Sequence, residues 1–151
     1  MADRTTASIT VAAPRADVIA VIADFAAYPE WASGVRSAEV IGRNGGGGRA
    51  SQVRFVLDAG MIKDSYVLSY DWDGDQGVRW DLAEPGSVIT ALSGGYLLAD
   101  ADVGTKVTYD LAVDVRIPMP GMLKRRAEKT IIETALKGLR DRAEAGRGDG
   151  T

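Results

Sequence analysis

The side chains here that could do acid–base chemistry are carboxylates, tyrosines, lysines and arginines, because the chain holds no His and no Cys. Without Cys there is no disulfide, thiolate nucleophile or thiolate metal site. Without His there is no Ser–His–Asp triad, and the side chain best suited to proton transfer near neutral pH is missing. Most zinc and iron sites go with it. An all-oxygen Mg²⁺ or Ca²⁺ site would need clustered acids, yet the acids are scattered singly, and DWDGD (Asp71 to Asp75) has no glutamate closing an EF-hand loop. Its Asp-Gly step reads as a hairpin turn. RNGGGGR (Arg43 to Arg49) resembles a phosphate loop only in its glycines. No GK[ST] follows and no G-x-G-x-x-G precedes a helix, so it reads as a flexible hairpin connection. These patterns predict no metal and no cofactor.

The bulk properties bound the remaining classes. A length of 151 residues suggests one domain, placed over 1–145 with a disordered tail at 146–151. Lys and Arg number 18 and Asp and Glu 21, so the net charge is 18 − 21 = −3. A mildly acidic chain is not expected to bind nucleic acid. No run of 18 apolar residues suggests a membrane span, and MADRTTASITVAAP lacks a signal-peptide core, so the expectation is cytoplasmic.

The elements that must position any site follow from periodicity. Thr6 to Val11 alternates as a strand. Pro14 opens a helix whose apolar stripe is Val18, Ile19, Val21 and Ile22. FAAYPEWASGV reads as a short helix or turn interrupted by Pro29 and Gly34, and Ala38 to Ile41 as a strand. Then alternation recurs around Val53 and Phe55, Tyr66 to Trp72, Val78 to Leu82, and Val107 to Val113, with Val88 to Leu98 reading as a longer strand. Gly94 and Gly95 suggest a bulge or bend. The joints DAGM, DGDQG, EPGS and DADVG are short and turn-like, which predicts an antiparallel meander with one buried face. From about Pro120 to Ala145, Leu123, Ala127, Ile131 and Ala135 join Ile132, Leu136, Leu139 and Ala143 in a broad apolar stripe. That is a long amphipathic helix, and a sheet with one apolar face needs such a cover.

With these elements in order, ITVAAPRADVIAVIADFAAYPEW, the DWDGD turn and GTKVTYDLAVDVRIPMPGMLKRRAEKTIIETALKGLRDR resemble the START-like polyketide cyclase/dehydrase superfamily, also called SRPBCC or birch-pollen-allergen-like. The small actinobacterial members are most similar. The resemblance spans about Thr6 to Arg142 and contains no catalytic signature. It implies an α+β helix-grip fold. A curved, seven-stranded antiparallel sheet wraps the long C-terminal helix, two short helices follow the first strand, and a cavity for apolar or amphipathic ligands lies between. It also implies that loops near 58–63, 83–87 and 116–122 ring one mouth. Met61, Ile62, Pro85, Met119, Pro120 and Met122 would then form a soft gate or simply plug the end of the core.

The inward faces supply Phe55, Tyr66, Leu68, Tyr70, Trp80, Tyr96 and Tyr109, as ligand contacts or as core filling. Trp31 either packs the short helices or walls the cavity. Glu128 falls on the apolar arc of the last helix, where it would enter the cavity or turn outward to Lys124 or Arg125. Lys124, Arg125, Arg126 and Lys129 form a basic cluster that is a solvated face or a contact for anionic headgroups. The expected ligand-contact set is therefore Phe55, Met61, Tyr66, Leu68, Tyr70, Trp80, Tyr96, Tyr109, Met119, Met122 and Glu128. The expected function is binding of a small hydrophobic molecule such as a lipid, quinone or polyketide, by a monomer or homodimer. The alternatives are a polyketide aromatase/cyclase, with Tyr66, Tyr70, Tyr96 or Glu128 as acid–base groups, and a chaperone that touches membranes weakly.

Overall fold

The computed structural model describes residues 4–32, 34–43, 49–59, 62–116 and 120–149. Alternating sequence becomes strand wherever expected. The strands are β1 (Thr5–Val11), β2 (Val35–Arg43), β3 (Ala50–Ala59), β4 (Ile62–Asp73), β5 (Gly77–Glu84), β6 (Ile89–Asp100) and β7 (Thr105–Val115). They form one antiparallel sheet in the order β1-β7-β6-β5-β4-β3-β2. Sequential neighbours therefore pair, except that β1 closes onto β7, with Ile9 opposite Val107. The DWDGD turn joins β4 to β5, where the Gln76 N–H donates to the Asp73 carbonyl over 2.9 Å.

Two helices carry the chain from one sheet edge to the other. Helix α1 (Arg15–Ala23) follows Pro14 and buries Val18, Ile19 and Ile22. A 3-10 turn at Phe25–Ala27 leads into α2 (Tyr28–Trp31). Pro29 does not interrupt this segment. It sits in the first turn of α2, where its missing N–H costs nothing. The Tyr28 hydroxyl donates to the Ile22 carbonyl at the end of α1 over 2.5 Å, locking the two helices together.

The paired glycines of β6 make no bulge. The register runs unbroken from Ala91 to Asp100, and the shift lies instead between Ile89 and Ala91. Gly94 faces Trp80 across the ladder. A Cβ there would lie 2.6 Å from the Asp110 carbonyl and 3.0 Å from the Trp80 ring, so the bare backbone makes room for an indole.

Helix α3 (Gly121–Asp149) runs beyond Ala145, into the segment expected to be a disordered tail. Its broad stripe divides in two. Ile132, Leu136, Leu139 and Ala143 are buried in the core, one turn after another. Leu123 is 50 % exposed and Ile131 43 % exposed. That seam is thus packed, whereas Leu123 and Ile131 turn to solvent on a neighbouring face of the same helix. The C-terminal half is further held by Arg142 to Glu30 over 2.7 Å and by the Ala12 N–H to Glu144 over 2.8 Å. With a seven-stranded sheet gripping one long helix, the expected helix-grip architecture is the one observed. Among the described residues no helix is long and apolar enough to cross a membrane.

Gly138 sets the closest approach of α2 to α3, since a Cβ there would stand 2.3 Å from the Trp31 carbonyl oxygen. Gly138→Ala gains helix propensity of up to about 1 kcal/mol but forces an overpacking cost of about 1–3 kcal/mol. A net fall of several degrees in Tm is expected by calorimetry. A raised Tm would show that α2 yields freely.

Candidate functional site

Strand pairing places large inward residues side by side. Tyr96 lies opposite Tyr109, and Tyr70 opposite Trp80. Their rings are 4.6 Å and 5.8 Å apart. Trp80 also reaches Tyr96 at 5.4 Å and Tyr109 at 5.6 Å, so β4 to β7 carry a continuous aromatic row. Phe55 and Tyr66 form a second stack at 5.8 Å. From above, Phe25, Tyr28 and Trp31 join on, with Phe25 to Tyr70 at 5.0 Å and Tyr28 to Phe55 at 6.0 Å.

Between these rings and the first half of α3 lies a cavity of about 510 Å³. Phe55, Tyr66, Leu68, Tyr70, Trp80, Tyr96 and Tyr109, the inward set expected from alternation, all line it. Trp31 lines it too, and also packs against Tyr28 at 4.8 Å, so it both packs and walls. Leu111, Val113 and Val115 continue the inward face of β7. Thr130 and Thr134 of α3 also contribute, and sequence periodicity does not mark them because they are polar. The lining reaches the surface at Thr130, Ile131 and Thr134, which are exposed. The cavity therefore meets solvent along that side of α3.

Two expectations change. Met122 is 70 % exposed and stands outside the lining. Glu128 is inward and only 2 % exposed, yet it does not line the cavity and does not pair with Lys124, whose ammonium goes to Asp114. The β1–β7 register ends at Thr5 opposite Leu111. Just past that point Glu128 accepts the Val113 N–H through Oε2 and the Thr5 hydroxyl through Oε1, each over 2.9 Å. It continues a ladder that β1 no longer serves. Met61 and Met119 lie outside the described residues. Pro85 borders a separate groove of about 410 Å³ with Asp81, Ser93 and Asp114.

The loop between β5 and β6 is tied down at the same end of the sheet. Asp64 of β4 accepts the N–H groups of Ser87, Val88 and Ile89 over 2.8, 3.0 and 2.7 Å. Burial works to raise the Asp64 carboxyl, but those backbone donors outweigh it and hold it below the usual range. Arg116, after β7, donates to the Ser87 carbonyl over 3.0 Å. The loops after β5 and β7 do converge, as the resemblance implies.

The tyrosines give the cavity its polarity. Burial pushes the phenols of Tyr28, Tyr66, Tyr70, Tyr96 and Tyr109 above their ordinary value. Nearby groups add to this: Asp64 for Tyr66, and other phenols for the rest. These hydroxyls therefore stay neutral, able to donate and accept hydrogen bonds but not to act as bases.

A curved sheet, a gripped helix and an internal aromatic cavity define a START-like helix-grip protein. Residues 2–144 match the family described as polyketide cyclase/dehydrase and lipid transport, and the chain belongs to that family. A START superfamily protein from Mycobacterium smegmatis superposes with a TM-score of 0.85 at 22 % identity, covering 94 % of this chain and 97 % of that one. The Zhui aromatase/cyclase from a Streptomyces species does so with 0.77 at 18 %, covering 95 % and 94 %. A protein from Thermus thermophilus gives 0.78 at 24 %, covering 95 % and 99 %. At such identities the likeness is one of fold. No curated protein matches the sequence.

Two outcomes test this geometry. Because folded-state phenol pKa values are raised, the stability they contribute is full below the unfolded value near 10 and is lost as pH rises past it. Spectrophotometric titration should show all five tyrosines ionising together with loss of the circular dichroism signal; ionisation ahead of unfolding would contradict the burial. Glu128→Ala leaves the Val113 N–H without its acceptor, a loss of about 1–3 kcal/mol. It should lower Tm while leaving ligand affinity unchanged.

Proposed function

We propose that this protein binds a small hydrophobic or amphipathic molecule in the cavity between sheet and α3, as a carrier or sequestering module. The observation that carries the proposal is the 510 Å³ cavity itself, walled by aromatic and aliphatic side chains. Ligand sites typically occupy about 300–1,000 Å³ and combine apolar walls with a few placed polar groups. The family description, which includes lipid transport, supports the same reading.

A second reading is an aromatase/cyclase, favoured by the family description and by the fold shared with the Streptomyces aromatase/cyclase. Such an enzyme could work by holding a flexible chain in a reactive fold. The neutral tyrosines would then serve as proton donors or as hydrogen-bond donors to a developing oxyanion. Apart from tyrosines, the one ionisable side chain in the lining among the described residues is Asp58, already paired with Arg36 at 3.5 Å. A lining with no unpaired carboxylate among the described residues suits binding better than proton abstraction.

Native mass spectrometry of the gently purified protein, set against its denatured mass, tests the binding reading. We expect an excess mass that disappears on denaturation, or a rise in Tm with members of a panel of lipids, quinones and aromatic polyketides. No excess mass and no rise across the whole panel would sink it. Steady conversion of a polyketide substrate would replace it with the enzyme reading.

A further inference from the structure

We infer that the cavity has a second way in, through the sheet between β5 and β6, and that Leu92 is the partition across it, so that this side chain sets how long a ligand the cavity holds. The inference rests on the reading of the cavity as a ligand site and adds a route and a length limit to it.

The first observation is that the sheet splits. The β5–β6 ladder runs from Gly77 opposite Leu97 to Asp81 opposite Ser93 and ends there. Beyond that point each strand stays with its other neighbour. β5 remains paired with β4 as far as Glu84, and β6 pairs with β7 from Ile89. Both carry an irregularity where they part. The β4–β5 register passes from Leu82 to Glu84 and leaves Ala83 over, and the β6–β7 register passes from Ile89 to Ala91 and leaves Thr90 over. An extra residue bends a strand and increases its twist. β5 and β6 thus diverge at the same level.

The second observation is that the split is framed. At its far end the Gly86 N–H donates to the Ile89 carbonyl over 3.2 Å. The Asp64 carboxylate, by taking the N–H groups of Ser87, Val88 and Ile89, ties the closing loop to β4. An opening held by hydrogen bonds at both ends is a fixed slot, not a frayed hairpin.

The third observation is that side chains fill the slot. Asp81, Ser93 and Asp114 of the 410 Å³ groove lie on the outer face, since they alternate with the cavity-lining Trp80, Leu92 and Val113. Yet the groove is also lined by Leu82 and Leu92, which belong to the inner face. Leu82 lies opposite Leu68, and Leu92 opposite Val113, and both partners line the cavity. The groove therefore reaches through the plane of the sheet. Leu92 is the one residue that groove and cavity share among the described residues. A backbone ladder bars passage, whereas a half-buried leucine can change rotamer.

The chain has no Cys, so single cysteines report cleanly. Val113 is also half-buried and lines the cavity but not the groove, which makes Val113→Cys the control for Leu92→Cys. Each is treated with the permanently charged thiol reagent methanethiosulfonate ethyltrimethylammonium, and each rate is divided by that of the same variant unfolded in urea. A charged reagent is disfavoured in the apolar cavity, so Leu92→Cys should react about tenfold faster, from the groove. A second readout is displacement of the neutral fluorophore N-phenyl-1-naphthylamine by straight-chain alcohols of increasing length. Leu92→Ala should move the tightest-binding alcohol to longer chains and speed stopped-flow release of the fluorophore several-fold. Leu92→Ile, which keeps the bulk, should do neither. Equal thiol rates, or unchanged chain preference and release in Leu92→Ala, would overturn the inference while leaving the cavity a ligand site. If the fluorophore and the alcohols bind neither protein, the ligand-site reading falls with the length limit, and the thiol rates still decide the passage. They also decide it where Leu92→Ala folds poorly.

Discussion

A seven-stranded antiparallel sheet with one apolar face must cover that face, and one helix is too narrow to cover all of it. The grip of the sheet on α3 is therefore the interaction on which the remaining features depend. Where Ile132, Leu136, Leu139 and Ala143 meet the sheet, the cover is close and dry. On the neighbouring side of the same turns, Thr130, Ile131, Thr134 and Ala135 line the cavity together with the sheet's aromatic row. Core and cavity are two sides of the same helix–sheet contact.

Keeping space open inside a small domain requires a frame that does not collapse. The backbone ladder supplies most of it, with β3–β4 paired without a break and β6–β7 from Ala91 to Asp100. Side chains then finish the ladder where strands run out. Glu128 stands in for β1 beside Val113, and Asp64 gathers three N–H groups of the loop after β5. Both are carboxylates spent on backbone donors rather than on chemistry. Their positions around the cavity make them easy to mistake for catalytic groups. The distinction lies in whether the oxygens are already engaged.

The cavity's own polar groups are the opposite case. Four phenols carry hydroxyls that the described protein leaves unpaired, and burial keeps them neutral. An apolar wall with neutral phenols, each able to donate or accept a hydrogen bond, suits the hydrophobic-ligand binding proposed above. Membership of the polyketide cyclase/dehydrase and lipid transport family fits that plasticity, because the shared frame constrains the cavity's walls far more than its contents.

Much of this was legible in the chain. Period-two alternation marked five of the seven strands, β2 and β6 being read as strands without it. It also put Phe55, Tyr66, Tyr70, Trp80, Tyr96 and Tyr109 on one face, because side chains alternate strictly along a strand. Period 3.6 marked α3 and its buried seam. The absence of His and Cys bounded the chemistry before any fold was known. Tertiary structure alone decided the rest. A helical wheel cannot say that half of an apolar stripe packs and half overhangs, so Leu123 and Ile131 look like Leu136 and Leu139 in sequence. It cannot say that Glu128 faces a strand end rather than a cavity, since that depends on where β1 stops against β7. Nor can Gly94 and Gly138 be told from flexible glycines until Trp80 and the Trp31 carbonyl are found against them. Local pattern determines which face a residue occupies; only the packing of distant elements determines what that face meets.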